Sequence, residues 1–366
     1  MTRTPLGSRL PDFPWDTIAD VRARAASHEG GLIDLSVGGP VDPVAPAIQL
    51  ALSEHAAAPG YPQTAGTPEL RATIVESLAR RFGIAGLTER SVLPVIGLKE
   101  AVAWLPTLLG LGPGDIVGLP AVAYPTYVVG ARLAGATPQE VEGLAQFGPP
   151  TPATTPKLLW INSPGNPTGR VLGVDHLRKV VAWARRNGVI VASDECYAEL
   201  DWRTEAERGE SFAALPTTPS ILDPRVTGGS HEGLLAVYST SKQSNLAGYR
   251  AAFTAGDPVL IGDLTNSRKH AGMIVPGPVQ TAMIAGLTDT AHVEEQKERY
   301  RARRAELLPA VEAFGLRVDH SDAGLYLWAR RDGEWKVIHE HFSMPFDMET
   351  GQVCMSSTPS AVQQAG

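Results

Sequence analysis

Cysteine is almost missing from this chain. Only Cys196 and Cys354 occur among 366 residues, too few for a disulfide framework and without the spacing of a metal site. No run approaches the ~18 apolar residues of a membrane span, and the amino end, MTRTPLGSRLPDFPWDTI, has no apolar core followed by a cleavage site, so a cytoplasmic protein is expected. Nor is there a block of one charge: 32 basic and 39 acidic residues are interspersed for a net charge of -7, which argues against a nucleic-acid footprint or a membrane-binding face. Internal repeats and low-complexity tracts are absent. What remains is a small-molecule partner.

The chain is 43% hydrophobic, enough to bury a sizeable core, and its length suits one large domain plus a smaller one. Leu32–Val37 reads as a short strand ending at Gly38-Gly-Pro40, where small residues let a ligand approach the backbone. Apolar runs predict further strands at 92–96, 115–119, 157–161, 189–193 and 234–238. Three- and four-residue periodicity predicts helices near 45–57, 68–82, 101–109, 124–133 and 174–186. Such alternation implies a mostly parallel sheet covered on both faces, with ligands at the carboxyl ends of its strands. The polar, proline-bearing stretch from Asp201 to Gly233 reads as a surface excursion. From Pro258 on, helices at 259–270, 279–287 and 291–314 and strands at 316–319 and 325–329 are expected. The resulting division is an arm of 1–40 contributing to the small domain, a large domain of 41–275 and a small domain of 276–366.

The motif that organises the chemistry is VYSTSKQSNLAGYRAAF, Val237–Phe253. It sets Lys242 just behind Ser239, Thr240 and Ser241 and eight residues before Arg250, which suits a lysine holding an aldehyde as a Schiff base while its neighbours grip a phosphate. Pyridoxal phosphate carries both groups. A Ser-Thr-Ser run alone is usually a helix cap with a solvated lysine behind it. Here it has company: Asn166-Pro-Thr-Gly169 and Asp194-Glu-Cys-Tyr197 each follow an apolar run, so Asn166, Asp194 and Lys242 can converge from the ends of three strands. The strand at 92–96 enters a helix through Gly97, leaving N–H groups free for an anion.

Together these motifs resemble those of fold-type I pyridoxal-phosphate enzymes, specifically class I/II aminotransferases, over residues 10 to 330. The phrases LSVGGPVDPVAP, APGYPQTAGTPELR, AYPTYVVGARLAG and SDAGLYLWA are similar to the actinobacterial type of N-succinyldiaminopimelate aminotransferase, a step of lysine biosynthesis. The resemblance implies an α/β fold-type I transferase: a large domain with a mostly parallel seven-stranded sheet, and a smaller α+β domain. It implies pyridoxal 5′-phosphate as cofactor, amino acids and 2-oxo acids as substrates, and a homodimer. Lys242, Asp194 and Tyr197 become the catalytic residues, with Asp194 pairing the pyridine nitrogen and Tyr197 and Asn166 donating to the phenolic oxygen. Tyr124 is assigned to stack on the ring, with Tyr127 close in sequence. Ser239, Ser241 and Arg250 hold the phosphate with Gly97, Leu98 and Lys99 at the helix start, and Tyr61 reaches it from the second subunit. Gly38 and Asn166 are expected at the substrate, and no metal is.

Departures from the family pattern are informative. Leu98 stands where a hydroxyl residue is common, and Ala252 where glycine is usual. After Arg331 there is no arginine, whereas the family grips the substrate's α-carboxylate with one near the end. The alternatives left open are another pyridoxal-phosphate enzyme, of the aspartate/alanine aminotransferase or β-lyase kind, and a catalytically impaired cofactor-binding protein. Cys196 is read as a small filler, Arg268-Lys-His270 as a basic patch for an acidic substrate, and His339 and His341 as part of a solvated tail.

Overall fold

The computed structural model describes residues 5–13, 16–30, 32, 38–147, 151, 154–208, 215, 217–331 and 334–339, without the side chains of 330, 331 and 334–339. Strands β1 (Val92–Ile96), β2 (Ile116–Pro120), β3 (Thr137–Val141), β4 (Leu158–Asn162), β5 (Ile190–Asp194), β6 (Leu234–Ser239) and β7 (Ala251–Gly256) form one sheet in the order β1-β7-β6-β5-β4-β2-β3. Six run the same way. Only β7 is reversed, pairing antiparallel with both β6 and β1.

Helices precede, connect and follow these strands: α1 (Ala19–Ala26), α2 (Pro46–Glu54), α3 (Pro68–Phe82), α4 (Leu98–Leu108), α5 (Thr126–Ala134), α6 (Val174–Asn187), α7 (Glu205–Arg208), α8 (Pro224–Thr227), α9 (Thr240–Gln243), α10 (Pro258–Ala271), α11 (Gly277–Thr288) and α12 (Ala291–Ala313). Their ends follow local chemistry. Thr67 accepts from the Leu70 N–H and Pro68 occupies the first turn of α3, which Gly83 closes in the left-handed region. Apolar side chains fill both faces of the sheet, α3 and α6 packing on one, α4 and α5 on the other. Every residue of β6 is buried, as a parallel sheet covered on both sides requires. A second, antiparallel sheet contains β8 (Arg317–His320), β9 (Leu327–Arg331) and β10 (Glu334–His339) in the order β10-β9-β8. A third apolar cluster, including Leu200, Tyr300, Leu307 and Leu325, joins it to the strand ends of the first.

Four expectations need correction. β3, TPQEV, is a polar edge strand whose sequence carries little apolar signal. β7, AAFTAG, is composed mostly of residues with weak strand preference, and only burial between β1 and β6 makes it a strand. Within the expected surface excursion, Ile221 and Leu222 are fully buried, because the Ile221 N–H donates to Glu195 Oε1 at 2.8 Å and Thr218 N–H to the Ala198 carbonyl at 3.0 Å. Glu334–His339 pairs with β9 rather than trailing into solvent, its alternating EWKVIH suiting a two-residue period; His341 lies outside the described residues, as does nearly all of the expected 32–37 strand. Among the described residues no helix is long and apolar enough to cross a membrane, and no cluster of His, Cys, Asp or Glu could hold a metal ion.

Candidate active site

The parallel register brings the carboxyl ends of β4, β5 and β6 to one edge, with Asn162 opposite Asp194 and Asp194 opposite Val237. A cavity of about 560 Å³ opens there, lined by Gly38, Leu98, Lys99, Tyr124, Asn166, Asp194, Tyr197, Ser239, Ser241, Lys242 and Arg250 among others. These residues span more than 200 positions of the chain and come from separate strand ends and loops.

Asp194 is the last residue of β5 and is buried. Its Oδ2 accepts from the Tyr127 hydroxyl at 2.8 Å and its Oδ1 from the Cys196 N–H at 3.2 Å. Burial pushes its pKa up, and among the described residues no cation pairs with it. Tyr127 is wholly buried with its ring centroid 5.0 Å from that of Trp160. Tyr124 lines the cavity and Tyr127 does not, which separates the two tyrosines that the sequence leaves adjacent. The tie from Tyr127 to Asp194 crosses from α5 to β5 and has no local signature.

The Tyr197 hydroxyl lies 2.5 Å from that of Tyr326, a second cavity residue that motif reading missed. Asn166 is set by Asn162, also missed. Asn162 Oδ1 accepts from the Asn166 N–H at 2.7 Å, while its Nδ2 donates to the carbonyls of Asp194 and Pro164, both at 3.0 Å. One carboxamide thereby links the loop to the end of β5.

Lys242 sits in the one-turn helix α9, capped by Ser239, whose hydroxyl accepts from the Ser241 N–H at 3.1 Å. The Lys242 amine is largely withdrawn from water and donates to the Gly38 carbonyl. Burial lowers its pKa, and the positive charge of Arg250 acts the same way, so more of the amine is neutral than in an exposed lysine. Cys196 lines the cavity half-buried, and burial beside Asp194 pushes its thiol well above the usual range, consistent with a filler role.

Arg250 adopts the left-handed conformation at φ 56°, and its guanidinium lies over Gly97, itself at φ 76°. The positive φ favours glycine, and a Cβ on Gly97 would meet Arg250 Cζ at 2.6 Å and displace that guanidinium. Gly97 caps α4, whose first N–H groups have no intrahelical partner and sit beside that guanidinium. Lys99 Nζ lies 4.6 Å from the Phe13 ring centroid at the rim.

Two expected residues stand apart. Tyr61 is fully exposed and outside the cavity. Arg268 is only 2% exposed and paired with Glu100 at 2.7 Å, so it is neither a solvated helix end nor free to meet a substrate; its two terminal nitrogens are held by a short ion pair across α10 and α4. The side chains of Arg330 and Arg331 lie outside the described residues.

The cavity thus holds a buried carboxylate with no cationic partner among the described residues, a part-buried lysine, and a guanidinium beside a helix start. That donor set suits a flat ring bearing a basic nitrogen, an aldehyde and a phosphate. The sequence model of aminotransferase class I and II matches residues 31–361, beyond the residue 330 at which the motif resemblance was expected to end. A probable aminotransferase of Mycobacterium tuberculosis is 59% identical over 329 residues, covering 90% of this chain and 75% of that one. The 4-dedimethylamino-4-oxo-anhydrotetracycline transaminase of Streptomyces rimosus is 49% identical over 333 residues (90% and 88%), and the LL-diaminopimelate aminotransferase of Aquifex aeolicus 32% over 312 (82% and 76%). Among solved structures, an aminotransferase of Neisseria meningitidis superposes with a TM-score of 0.76 at 27% identity, covering 90% of this chain and 84% of that one.

Proposed function

The chain belongs to the class I and II aminotransferases, enzymes that use pyridoxal 5′-phosphate, and on that premise we propose that it transfers an amino group between glutamate or 2-oxoglutarate and N-succinyl-LL-2,6-diaminopimelate or its keto acid. When bound, the cofactor supplies an electron sink for the substrate carbanion. The chain's own residues do the rest. Lys242 Nζ would hold the cofactor's aldehyde carbon, and its amine would take and return the proton of the substrate's α-carbon, a role its depressed pKa favours. The Asp194 carboxylate, steadied by Tyr127, would keep a proton on the ring nitrogen. Asn166 and Tyr197 would donate to the phenolic oxygen, Tyr124 would pack on the ring, and Gly38 would border the substrate. Ser239, Ser241, Arg250 and the helix start at Gly97, Leu98 and Lys99 would hold the phosphate.

The observation that carries this reading is the convergence of Lys242, Asp194, Tyr197 and Arg250 on one cavity. The exposed Tyr61 is read as reaching the site of a second copy in a homodimer. The division into an arm of 1–40, a cofactor domain of 41–275 and a small domain of 276–366 belongs to the same reading, with α11 packed on the cofactor domain.

Titration of the purified protein with pyridoxal phosphate and then glutamate, followed by absorbance and by release of 2-oxoglutarate, tests cofactor binding and the half-reaction together. Borohydride reduction and peptide mapping should place the cofactor on Lys242; labelling at Lys99 or Lys269 overturns the assignment. A second substrate reading rests on the Streptomyces rimosus relative, named for an oxo-anhydrotetracycline and more similar than the diaminopimelate enzymes. A kcat/KM for such a polycyclic ketone above that for the succinylated acid would select it.

A further inference from the structure

Helix α12 turns three side chains, at intervals of four residues, toward the turn that carries Lys242. The Tyr300 hydroxyl donates to the Lys242 main-chain carbonyl at 3.1 Å, Gln296 Oε1 accepts from Asn245 Nδ2 at 2.9 Å, and His292 Nε2 lies 2.8 Å from Ser244 Oγ. All three are buried, Tyr300 to 1% exposure. This spacing is one face of a helix, read against residues 242, 244 and 245.

The turn needs such outside support. Because α9 is four residues long, its last carbonyls have no intrahelical donor, and that of Lys242 obtains one from an element 58 residues later. Asn245 holds φ 58°, a left-handed conformation that a non-glycine residue keeps only where its surroundings impose it. Gln296 also donates from Nε2 to Asp42 Oδ2 at 2.7 Å, and Arg303 donates to the same carboxylate at 2.6 Å. Asp42 closely follows Gly38, whose carbonyl accepts from the Lys242 amine. The backbone and the tip of Lys242 are therefore both tied, by separate routes, to α12.

We propose that Tyr300 is a positioning residue for Lys242: its hydroxyl fixes the lysine main chain, and with it the direction from which Nζ meets the reacting carbon, while Gln296 and His292 hold the turn that follows. This rests on the reading of Lys242 as the proton-carrying amine. The hydrogen bonds of the Tyr300 hydroxyl go to Lys242 and Asn245 and not to Asp194, Ser239 or Arg250, the residues assigned to the cofactor's ring and phosphate, so its loss should slow chemistry while leaving binding intact.

The test is Tyr300→Phe, which deletes one hydroxyl and keeps the ring. Its Kd for pyridoxal phosphate and KM for glutamate should stay within about twofold of wild type while kcat falls about tenfold, the scale of one lost hydrogen bond that orients a reacting group. In the cofactor-free protein, hydrogen–deuterium exchange should rise in peptides covering 239–246 and stay unchanged in 301–313. An unchanged kcat overturns the proposal. So does a parallel loss of binding and kcat with exchange rising throughout α12, which marks a merely structural residue. If wild type itself is not labelled at Lys242 by borohydride, the functional reading falls and the proposal with it, an outcome visible without any variant. Should Tyr300→Phe not fold, Ser244→Ala must show the same split between kcat and binding, and its absence is equally decisive against the proposal.

Discussion

The hydroxyl of Tyr127 donates to Oδ2 of Asp194 at 2.8 Å, linking the first turn of α5 to the last residue of β5 beneath the cavity. That bond orients a carboxylate that has no cationic partner among the described residues. It belongs to a tyrosine that makes no part of the cavity wall.

Tyr127→Phe should therefore weaken the cofactor without undoing the fold. A hydrogen bond to a charged group contributes ~1.5–3 kcal/mol, so the Kd for pyridoxal phosphate should rise at least about tenfold. The ring, packed on Trp160, remains. Fluorescence titration measures the Kd, and a value within about twofold of wild type would show that Asp194 is positioned otherwise.

Asp194→Asn should separate stability from function in the cofactor-free protein. Burial raises the folded pKa of Asp194 above its unfolded value. The unfolded chain then releases the proton first, and stability falls as pH rises from the ordinary carboxylate range through the folded pKa. Above that window the substitution removes a buried charge, and the melting temperature should rise by about 2 °C, the scale of 1 kcal/mol in a large domain. The same variant should bind pyridoxal phosphate more weakly. A melting temperature below that of the cofactor-free wild type at every pH above the ordinary carboxylate range contradicts the argument.

Gly97→Ala meets two obstacles together, a positive φ and the Arg250 guanidinium in the space its Cβ would occupy. The strain is ~1–3 kcal/mol, and because the guanidinium rather than the core must move, phosphate binding should suffer more than folding. Competition between inorganic phosphate and the cofactor reads this directly: the phosphate constant should weaken about tenfold or more, and an unchanged one would detach Arg250 from the phosphate.

The carboxylate-gripping arginine that the family resemblance implies near the end has no counterpart after Arg331, while Lys242, Asp194, Tyr197 and Arg250 all come earlier. A substrate carboxylate without its cation forfeits ~2–5 kcal/mol. Replacing residues 331–366 with a family-type ending that carries the arginine should raise kcat/KM for glutamate at least roughly tenfold. Equal activity in the unreplaced chain would mean that another group holds the carboxylate.

Much of this was written in the sequence. Apolar runs of strand length, glycine after β1, and three polar motifs placed just past strands are local patterns. In an alternating chain they lead to a parallel sheet and set Asn166, Asp194, Tyr197, Lys242 and Arg250 near its carboxyl edge, where all five line one cavity. Each signal lies within a few neighbours, where periodicity and turn chemistry act. The tertiary structure alone decided what depends on distance in the chain. It chose Tyr124 over Tyr127 for the cavity, gave Arg268 to Glu100, buried Ile221 and Leu222, made a strand of AAFTAG, brought Tyr326 and Tyr300 to residues 58 or more positions away, and set Asn162 against Asp194 on the neighbouring strand. The reason is physical: a buried hydroxyl, carboxamide or guanidinium must find a partner, and which partner it finds is settled by the packing of whole elements rather than by its own neighbours in sequence.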